Sequence, residues 1–316
     1  NRKSEGEILL RVKNLHVEGF SDERWHKILK GVDLSIYRGE VLGVIGESGA
    51  GKSTLGLAAM GYTQPGCRIT RGSILFDGVD LSQLSDTQKR KYWGNRMTYV
   101  AQSAAASFNP AHRLIKQTTE STIRAGLKNQ IDAYRDAQIL YDALNLPDSR
   151  NIGDRYPHQV SGGQLQRVMT AMAMSPSPDL IVFDEPTTAL DVTTQVEVLA
   201  AMRSIVEKFN TAAIYITHDL SVVAQMADRI KVLRYGEEVE EANTREMLSN
   251  PTKDYTKSLW SVRSLQKKEN GNDDIVLELD TISASYGAVP VLFDVNIRLP
   301  RGRTVAVVGE SGSGKS

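Results

Sequence analysis

The residues best suited to chemistry lie in a glycine-rich stretch at positions 46–53, which reads G-E-S-G-A-G-K-S. It matches the pattern G-x-x-x-x-G-K-[ST], in which glycines let backbone N–H groups wrap around phosphate oxygens. The lysine adds positive charge beside the β- and γ-phosphates, and the serine hydroxyl can ligate magnesium. The pattern predicts a nucleoside triphosphate site. Its predicted contacts are Gly46, Glu47, Ser48, Gly49, Ala50, Gly51, Lys52, Ser53 and Thr54.

The same pattern returns at positions 309–316, as G-E-S-G-S-G-K-S. Residues 29–53 align with residues 292–316 without a gap, so the repeat is long enough to indicate duplication of a whole domain. We expect a tandem protein whose second copy is truncated at its own phosphate-binding loop. The second loop is represented by Gly309, Gly312, Gly314, Lys315 and Ser316.

An acidic pair, Asp184 and Glu185, follows the apolar run at 180–183. A carboxylate at the end of a strand beside the phosphate loop can hold magnesium directly or through water. The next acid would point elsewhere and could polarise an attacking water as a general base. Taken alone, such a pair is more often a solvated strand end. The neighbouring motifs favour the catalytic reading.

A four-residue segment and a histidine can each be interpreted as a structural feature or as part of a chemical site. Ser161, Gly162, Gly163 and Gln164 precede a predicted helix, where a serine cap and glycines would present free N–H groups. His218 follows the apolar run at 212–217. By themselves these are an ordinary helix cap and an ordinary histidine at a strand end.

The elements that must position these residues alternate between strands and helices. Strands are predicted at 8–15, 32–37 and 41–45, and the third leads into the phosphate loop and a helix at 53–60. A helical pattern then covers 114–146.

Short apolar runs at 180–183, 212–217 and 230–233 have the length of buried strands. They favour an α/β fold with a parallel sheet and a helical insertion. Residues 250–272 are polar and are interpreted as a tail plus linker.

The amino-acid composition argues against several classes of partner and site. Lys plus Arg and Asp plus Glu are equal at 38 each, which argues against nucleic acid as a partner. Cys67 is the only cysteine, so an intrachain disulfide and a cysteine-only metal cluster are excluded. The sequence has no apolar stretch long enough to span a bilayer, so we expect any membrane role to come through a partner.

The order of the motifs identifies a family. After the first loop come Gln102, then V-S-G-G-Q-L-Q-R at 160–167, L-I-V-F-D-E-P at 180–186, A-L-D at 189–191 and T-H-D at 217–219. This series resembles the nucleotide-binding domain of ABC-type ATPases over residues 8–245. One departure is Val160, where the family usually has leucine. The resemblance implies an α/β P-loop NTPase core with a mostly parallel sheet, a small N-terminal antiparallel sheet and a helical subdomain.

The resemblance also implies roles for single residues, with ATP and Mg2+ as cofactors. Ser53, Gln102 and Asp184 would hold the magnesium ion, and Glu185, His218 and Gln102 would be catalytic. His218 would sense the γ-phosphate, and Gln102 would also couple the site to a membrane partner. The signature residues, which would close over the nucleotide of a partner domain, are Ser161, Gly162, Gly163 and Gln164. Asp191 would belong to the D-loop.

The family stacks adenine on an aromatic residue after the first strand. Gly19 occupies the aligned position and Phe20 follows, so Phe20 is the predicted contact. Trp25 is the alternative, and either ring could instead pack the small sheet. Tyr286 fits this role in the second copy.

Two segments resemble one subfamily, the oligopeptide, dipeptide and nickel importer ATPases. They are A-S-F-N-P at 106–110 and the tail at 250–259, which here lacks the cysteines that hold an iron–sulfur cluster in some relatives. The predicted domains are a first nucleotide-binding domain at 6–245, a tail and linker at 246–274, and the start of a second domain at 275–316.

The expected protein is an ATP-hydrolysing subunit that energises import of peptides or a related small solute. It would lie peripherally on the cytoplasmic face of the bacterial inner membrane, with transmembrane permease subunits as partners and a periplasmic or extracellular solute-binding protein as an indirect one. A second nucleotide-binding domain, in the same chain or in a dimer, would complete the site, with Lys315 facing Ser161. The alternative is a soluble ABC ATPase of a multi-enzyme assembly resembling carbon–phosphorus lyase. The transported substrate stays open.

Overall fold

The computed structural model describes residues 6–188, 190–261 and 274–307. The chain divides into two compact units, one of residues 1–190 with 195–260 and the other of residues 191–194 with 261–316. The second phosphate loop predicted at 309–316 lies outside the described residues. Among the residues that the structure describes, none of the helices has the length and hydropathy of a membrane-spanning segment.

The bounds of the elements are as follows. The strands are β1 Ile8–Ser21, β2 Arg24–Tyr37, β3 Val41–Ile45, β4 Cys67–Phe76, β5 Val79–Asp80, β6 Met97–Val100, β7 Leu180–Asp184, β8 Ala212–Thr217, β9 Arg229–Arg234, β10 Glu237–Asn243, β11 Ile275–Tyr286 and β12 Val289–Pro300. The helices are α1 Lys52–Ala59, α2 Asp86–Lys89, α3 Ala104–Ser107, α4 Leu114–Arg124, α5 Gln130–Ala143, α6 Gly162–Met174, α7 Val192–Lys208, α8 Leu220–Met226, α9 Thr244–Ser249 and α10 Asp254–Ser261.

A six-stranded sheet forms the centre of the first unit, in the order β10-β9-β3-β8-β7-β6. Its strands run parallel except β10, which pairs antiparallel with β9 at one edge. Every residue of β3, β7 and β8 is buried, since both faces of a parallel sheet are covered. The predicted α/β core is therefore confirmed, and the carboxyl ends of β3, β7 and β8 meet at one edge.

The small antiparallel sheet has the order β2-β1-β4-β5. Its first two strands are longer than the predicted 8–15 and 32–37, because they continue into a tight hairpin at Asp22 and Glu23. Both turn residues have positive φ, 49° and 60°, which matches the twist of a two-residue hairpin. The residues between are mostly polar and exposed, so the apolar pattern alone underestimated the strands.

The helical layer consists chiefly of α4, α5 and α6. The predicted helical stretch at 114–146 is two helices rather than one. Gly126, at φ +69°, follows the end of α4, and the side chain of Asn129 caps α5 by accepting a hydrogen bond from the Asp132 N–H at 2.9 Å. A glycine and an asparagine cap so close together end one helix and start the next.

The polar stretch at 250–272 is not linker throughout, because α10 forms within it. Tyr255, Leu259 and Trp260 pack against an apolar cluster that includes Ile45, the last residue of β3. Thr256 is fully buried. Tyr255 and Leu259 lie four residues apart, a helical spacing that the polar residues between them obscured.

The second unit contains the hairpin of β11 and β12, paired antiparallel from Ile275 with Pro300 to Tyr286 with Val289. Tyr286, the aromatic residue expected to stack on adenine in the second copy, is exposed beside the turn.

Candidate nucleotide-binding site

A cavity of about 380 Å³ lies at the carboxyl ends of β3 and β7 in the first unit. It brings together the phosphate loop, Gln102 and the acidic pair, although the acidic pair follows the loop by more than 130 residues in the sequence. Of the nine predicted loop residues, Gly46, Glu47 and Ala50 do not line it. The lining residues are Ile28, Ser48, Gly49, Gly51, Lys52, Ser53, Thr54, Gln102, Asp184 and Glu185.

The loop needs glycine at its first position. Gly46 has φ +155°, and a Cβ there would lie 2.2 Å from the carbonyl oxygen of Leu233. Helix α1 starts at Lys52, and no side chain caps its first turn. The N–H groups of that turn therefore remain available to an anion in the cavity.

Lys52 is buried and folds back over its own loop. Its Nζ donates to the carbonyl oxygens of Gly46 at 2.9 Å and Glu47 at 3.0 Å. Burial lowers the pKa of Lys52, while the carboxylates of Glu185 and Asp184 act in the opposite direction. The nearer of these, Glu185 Oε1, lies 3.8 Å from Nζ. The two carboxylates therefore favour a charged ammonium group inside the cavity.

Both oxygens of the buried Asp184 accept a hydrogen bond. Ser53 Oγ donates to Oδ1 at 2.8 Å, and the Tyr99 hydroxyl donates to Oδ2 at 2.6 Å. Burial, and then the Asp184 carboxylate, raises the pKa of Tyr99, so the phenol stays protonated as a donor. Tyr99 was not among the residues predicted from the sequence. The available signal was a polar ring in a short strand that runs parallel to the acid-bearing strand.

Glu185 has left-handed backbone geometry, with φ +48°. Its N–H donates to the Ile216 carbonyl at 2.9 Å, which ties the turn to the end of β8. Its side chain lies between Lys52 and His218, with Oε2 3.2 Å from His218 Nδ1. Because Glu185 and Asp184 turn to different partners, the two acids occupy different surroundings.

The oxygen donors around the cavity suit magnesium. Ser53 offers a hydroxyl, Gln102 an amide and Asp184 a carboxylate, and Mg2+ prefers a few such oxygen ligands together with water. In the described ranges, no group of three His, Cys, Asp or Glu side chains comes together as a metal site.

The four signature residues start helix α6. Ser161 Oγ accepts from the Gln164 N–H at 3.2 Å, and Gln164 Oε1 accepts from the Ser161 N–H at 3.1 Å, so the pair forms a capping box. None of residues 161–164 lines the described cavity. Asp191 belongs to the second compact unit, where it accepts hydrogen bonds from the N–H and the hydroxyl of Thr194.

The two candidate adenine-binding aromatics lie side by side at the end of the β1–β2 hairpin. The rings of Phe20 and Trp25 have centroids 5.3 Å apart. The Arg68 guanidinium lies 3.8 Å above the Trp25 ring, while Phe20 is 53% exposed. A larger residue at position 19 would require the Ile28 side chain to shift, since a Cβ there would lie 2.7 Å from Ile28 Cδ1. Neither aromatic lines the phosphate cavity.

Comparison with known protein sequences places these features in a family. The family model described as ABC transporter matches residues 29–188. The oligopeptide transport ATP-binding protein OppD of Lactococcus lactis subsp. cremoris (strain SK11) is 38% identical over 92% of this chain and 83% of its own length. AppD of Bacillus subtilis (strain 168), also an oligopeptide transport ATP-binding protein, is 37% identical over 89% of this chain and 84% of its own.

This chain covers a smaller share of a third relative. The glutathione import ATP-binding protein GsiA of Salmonella typhimurium is 32% identical over 98% of this chain, which spans 57% of that relative.

Solved structures agree with this assignment. The dimeric structure of MJ0796, a bacterial ABC transporter cassette, is 27% identical, with a TM-score of 0.65 over 75% of this chain and 99% of the cassette. The post-hydrolysis dimer of the same cassette, bound to ADP and Pi, is 25% identical with a TM-score of 0.64 over 75% of this chain and 99% of that one. The chain thus belongs to the ABC transporter family, as an ATP-binding cassette that hydrolyses ATP.

Proposed function

We propose that this protein is the ATP-hydrolysing subunit of an importer for peptides or a related small solute. The observation that carries the proposal is the convergence of Lys52, the Ser53–Asp184 pair and Glu185 on one cavity. His218 does not line the cavity but pairs with Glu185. The solute class is supported by relatives that are named for oligopeptide transport and glutathione import.

In the proposed site, loop N–H groups and the first turn of α1 bind the phosphates. Lys52 exchanges its bonds to the loop carbonyls for oxygens of the β- and γ-phosphates. Ser53, Gln102 and Asp184 would hold magnesium, with the Tyr99 hydroxyl fixing the carboxylate from behind. Magnesium held there would supply positive charge to neutralise the phosphate oxygens.

Glu185 is the proposed general base. It takes a proton from the attacking water as the water oxygen bonds to the γ-phosphorus and the bond to the bridging oxygen breaks, giving ADP and phosphate. His218, 3.2 Å from Glu185 Oε2, holds the base in orientation and reaches the γ-phosphate. Gln102 contacts the attacking water and couples the nucleotide site to a membrane partner.

The nucleotide is proposed to lie between two cassettes. Ser161, Gly162, Gly163 and Gln164 form the start of α6, where Ser161 and Gly162 are exposed. None of the four lines the cavity of its own chain, which supports a role in trans. The related cassette MJ0796 is dimeric in its solved structures. Asp191 would face the same partner.

The second cassette is proposed to belong to the same chain, beginning at residue 275 after a tail and linker at 246–274, with the first domain at 6–245. The repeated loop motif at 309–316 supports this fused arrangement, in which Lys315 faces Ser161. The match of GsiA over 98% of this chain supports it as well.

Adenine is proposed to stack on Phe20, since Arg68 already occupies one face of Trp25. The partners are proposed to be permease subunits at the cytoplasmic face of the bacterial membrane, with a solute-binding protein acting through them. The relatives are named as transport proteins, which does not support the carbon–phosphorus-lyase-like assembly.

Affinity purification from the native cell membrane tests the proposal. A tagged full chain should retain multi-span permease subunits, and the Lys52→Ala chain should retain them equally while failing to support peptide uptake. Recovery of water-soluble enzyme subunits in place of permeases would overturn the importer assignment.

A further inference from the structure

Helix α10 reaches the phosphate loop through one side chain. The hydroxyl oxygen of Tyr255 accepts a hydrogen bond from the N–H of Glu47 at 3.2 Å. The two residues are 208 positions apart, and α10 lies outside residues 29–188, the part matched by the family model. The tail therefore contributes to the ATP-binding loop itself.

The bond acts on one particular peptide plane. The Glu47 N–H and the Gly46 carbonyl belong to the same peptide unit, and Lys52 Nζ donates to that carbonyl at 2.9 Å. Tyr255 and Lys52 thus hold opposite ends of one plane, with the N–H turned towards α10. If the plane rotated, its carbonyl oxygen could turn towards the bound phosphates and repel them.

Nucleotide binding changes which side chains hold the 46–47 peptide plane. Under the function proposed above, Lys52 leaves the loop carbonyls when it binds phosphate oxygens. Of the two side chains, Tyr255 alone then still holds the 46–47 peptide plane, through its hydrogen bond with the Glu47 N–H. Its contribution is largest in the ATP-bound state, when the loop must keep its N–H groups aimed at the anion.

Tyr255 is itself fixed from two directions. The Arg234 guanidinium lies 4.4 Å from its ring centroid and 4.9 Å from that of Tyr235. The start of α10 is held by Glu240, whose carboxylate accepts from the N–H of Thr252 at 2.7 Å and of Lys253 at 3.1 Å. A side chain held in this way can impose a position on the more pliable glycine-rich loop.

We propose that Tyr255 is a positioning residue for ATP binding, which makes the tail helix α10 a working part of the phosphate site. The inference rests on the proposed phosphate contacts of Lys52. It assigns no chemical step to Tyr255, so its loss should affect nucleotide affinity far more than turnover at saturation.

The test compares two tyrosine variants of the full chain. Tyr255→Phe keeps the ring beside Arg234 and removes only the hydroxyl. It should weaken ATP about threefold to tenfold, the effect of losing one hydrogen bond, with kcat within about twofold of wild type. Tyr235→Phe is the matched control, because Tyr235 stacks on the same guanidinium and its hydroxyl has no hydrogen-bond partner in the described ranges.

Amide hydrogen exchange at Glu47 provides a second readout, which a general loss of packing would not single out. Exchange at Glu47 should accelerate in Tyr255→Phe and not in Tyr235→Phe. Unchanged ATP affinity in Tyr255→Phe overturns the proposal, whether or not the Glu47 amide is exposed. Failure of the phosphate site itself would look different, since Lys52→Ala would then bind ATP as tightly as wild type.

Discussion

His218 Nδ1 lies 3.2 Å from Oε2 of Glu185, so the imidazole and the carboxylate form a pair at the edge of the phosphate cavity. The other oxygen of Glu185 lies 3.8 Å from Lys52 Nζ. The proposed base therefore lies between Lys52, the proposed phosphate-binding group, and His218, the proposed orienting group. We expect these residues to act as a unit rather than independently.

The Glu185→Gln variant should bind ATP with near-wild-type affinity and hydrolyse it at least about 10²-fold more slowly, because the amide cannot accept the proton of water. Equilibrium ATP binding and single-turnover hydrolysis would measure the two effects. His218→Ala should lower the rate of hydrolysis by a smaller factor in the Glu185→Gln variant than in wild type. Unchanged turnover in Glu185→Gln would leave Glu185 as a strand-end acid.

Loss of the Tyr99 hydroxyl should weaken magnesium binding. Tyr99→Phe frees Oδ2 of Asp184, so the carboxylate is less firmly oriented, and the magnesium concentration for half-maximal hydrolysis should rise about tenfold. Tyr141→Phe is the control, because it removes a comparable buried hydrogen bond, to Thr118 at 2.6 Å, within the helical layer. Equal magnesium dependence in both variants would contradict a role for Tyr99 at the metal site.

Substitution of the signature serine, Ser161, should have separate effects on stability and on ATP hydrolysis. Ser161→Ala removes the cap of α6 and should lower the free energy of unfolding by about 1 kcal/mol. Ser85→Ala removes a similar capping box from α2 and should cost about as much. Only Ser161→Ala should reduce hydrolysis at saturating ATP, since its proposed contact is with the nucleotide of the partner cassette. If both variants keep full turnover, the role of Ser161 in trans is wrong.

The phosphate loop, the acidic pair and the helix cap could be predicted because each is local in sequence. The turn at 46–53, the end of β7 and the start of α6 depend on neighbouring residues and on short apolar runs. Buried strands in a parallel sheet also leave near-continuous apolar segments, which is why 212–217 was predicted with the right bounds.

Other contacts depend on tertiary packing, so the sequence contains weaker signals for them. Tyr99 reaches Asp184 only because β6 pairs in register with β7, and Tyr255 reaches Glu47 only because α10 packs beside the end of β3. The exposed part of the β1–β2 hairpin has few apolar residues, so its length followed from the turn at Asp22 and Glu23 rather than from periodicity.

The adenine contact can be assigned with two alanine variants. Phe20→Ala should weaken ATP and GTP alike, because stacking does not read base edges, by roughly 1–3 kcal/mol as in other contacts between a base and an aromatic ring. Trp25→Ala should have a smaller effect, since Arg68 covers one face of that ring. A loss confined to Trp25→Ala would transfer the role to Trp25.

The loop at 46–53 and the end of β7 are proposed to form the working ATP site. The most direct measurement is equilibrium binding of ATP with magnesium to the wild-type, Lys52→Ala and Lys116→Ala chains, where Lys116 is an exposed lysine on α4. Lys52→Ala should lose tight binding, because it removes the buried ammonium group from the cavity, and Lys116→Ala should bind like wild type. Wild-type affinity in Lys52→Ala would contradict the account.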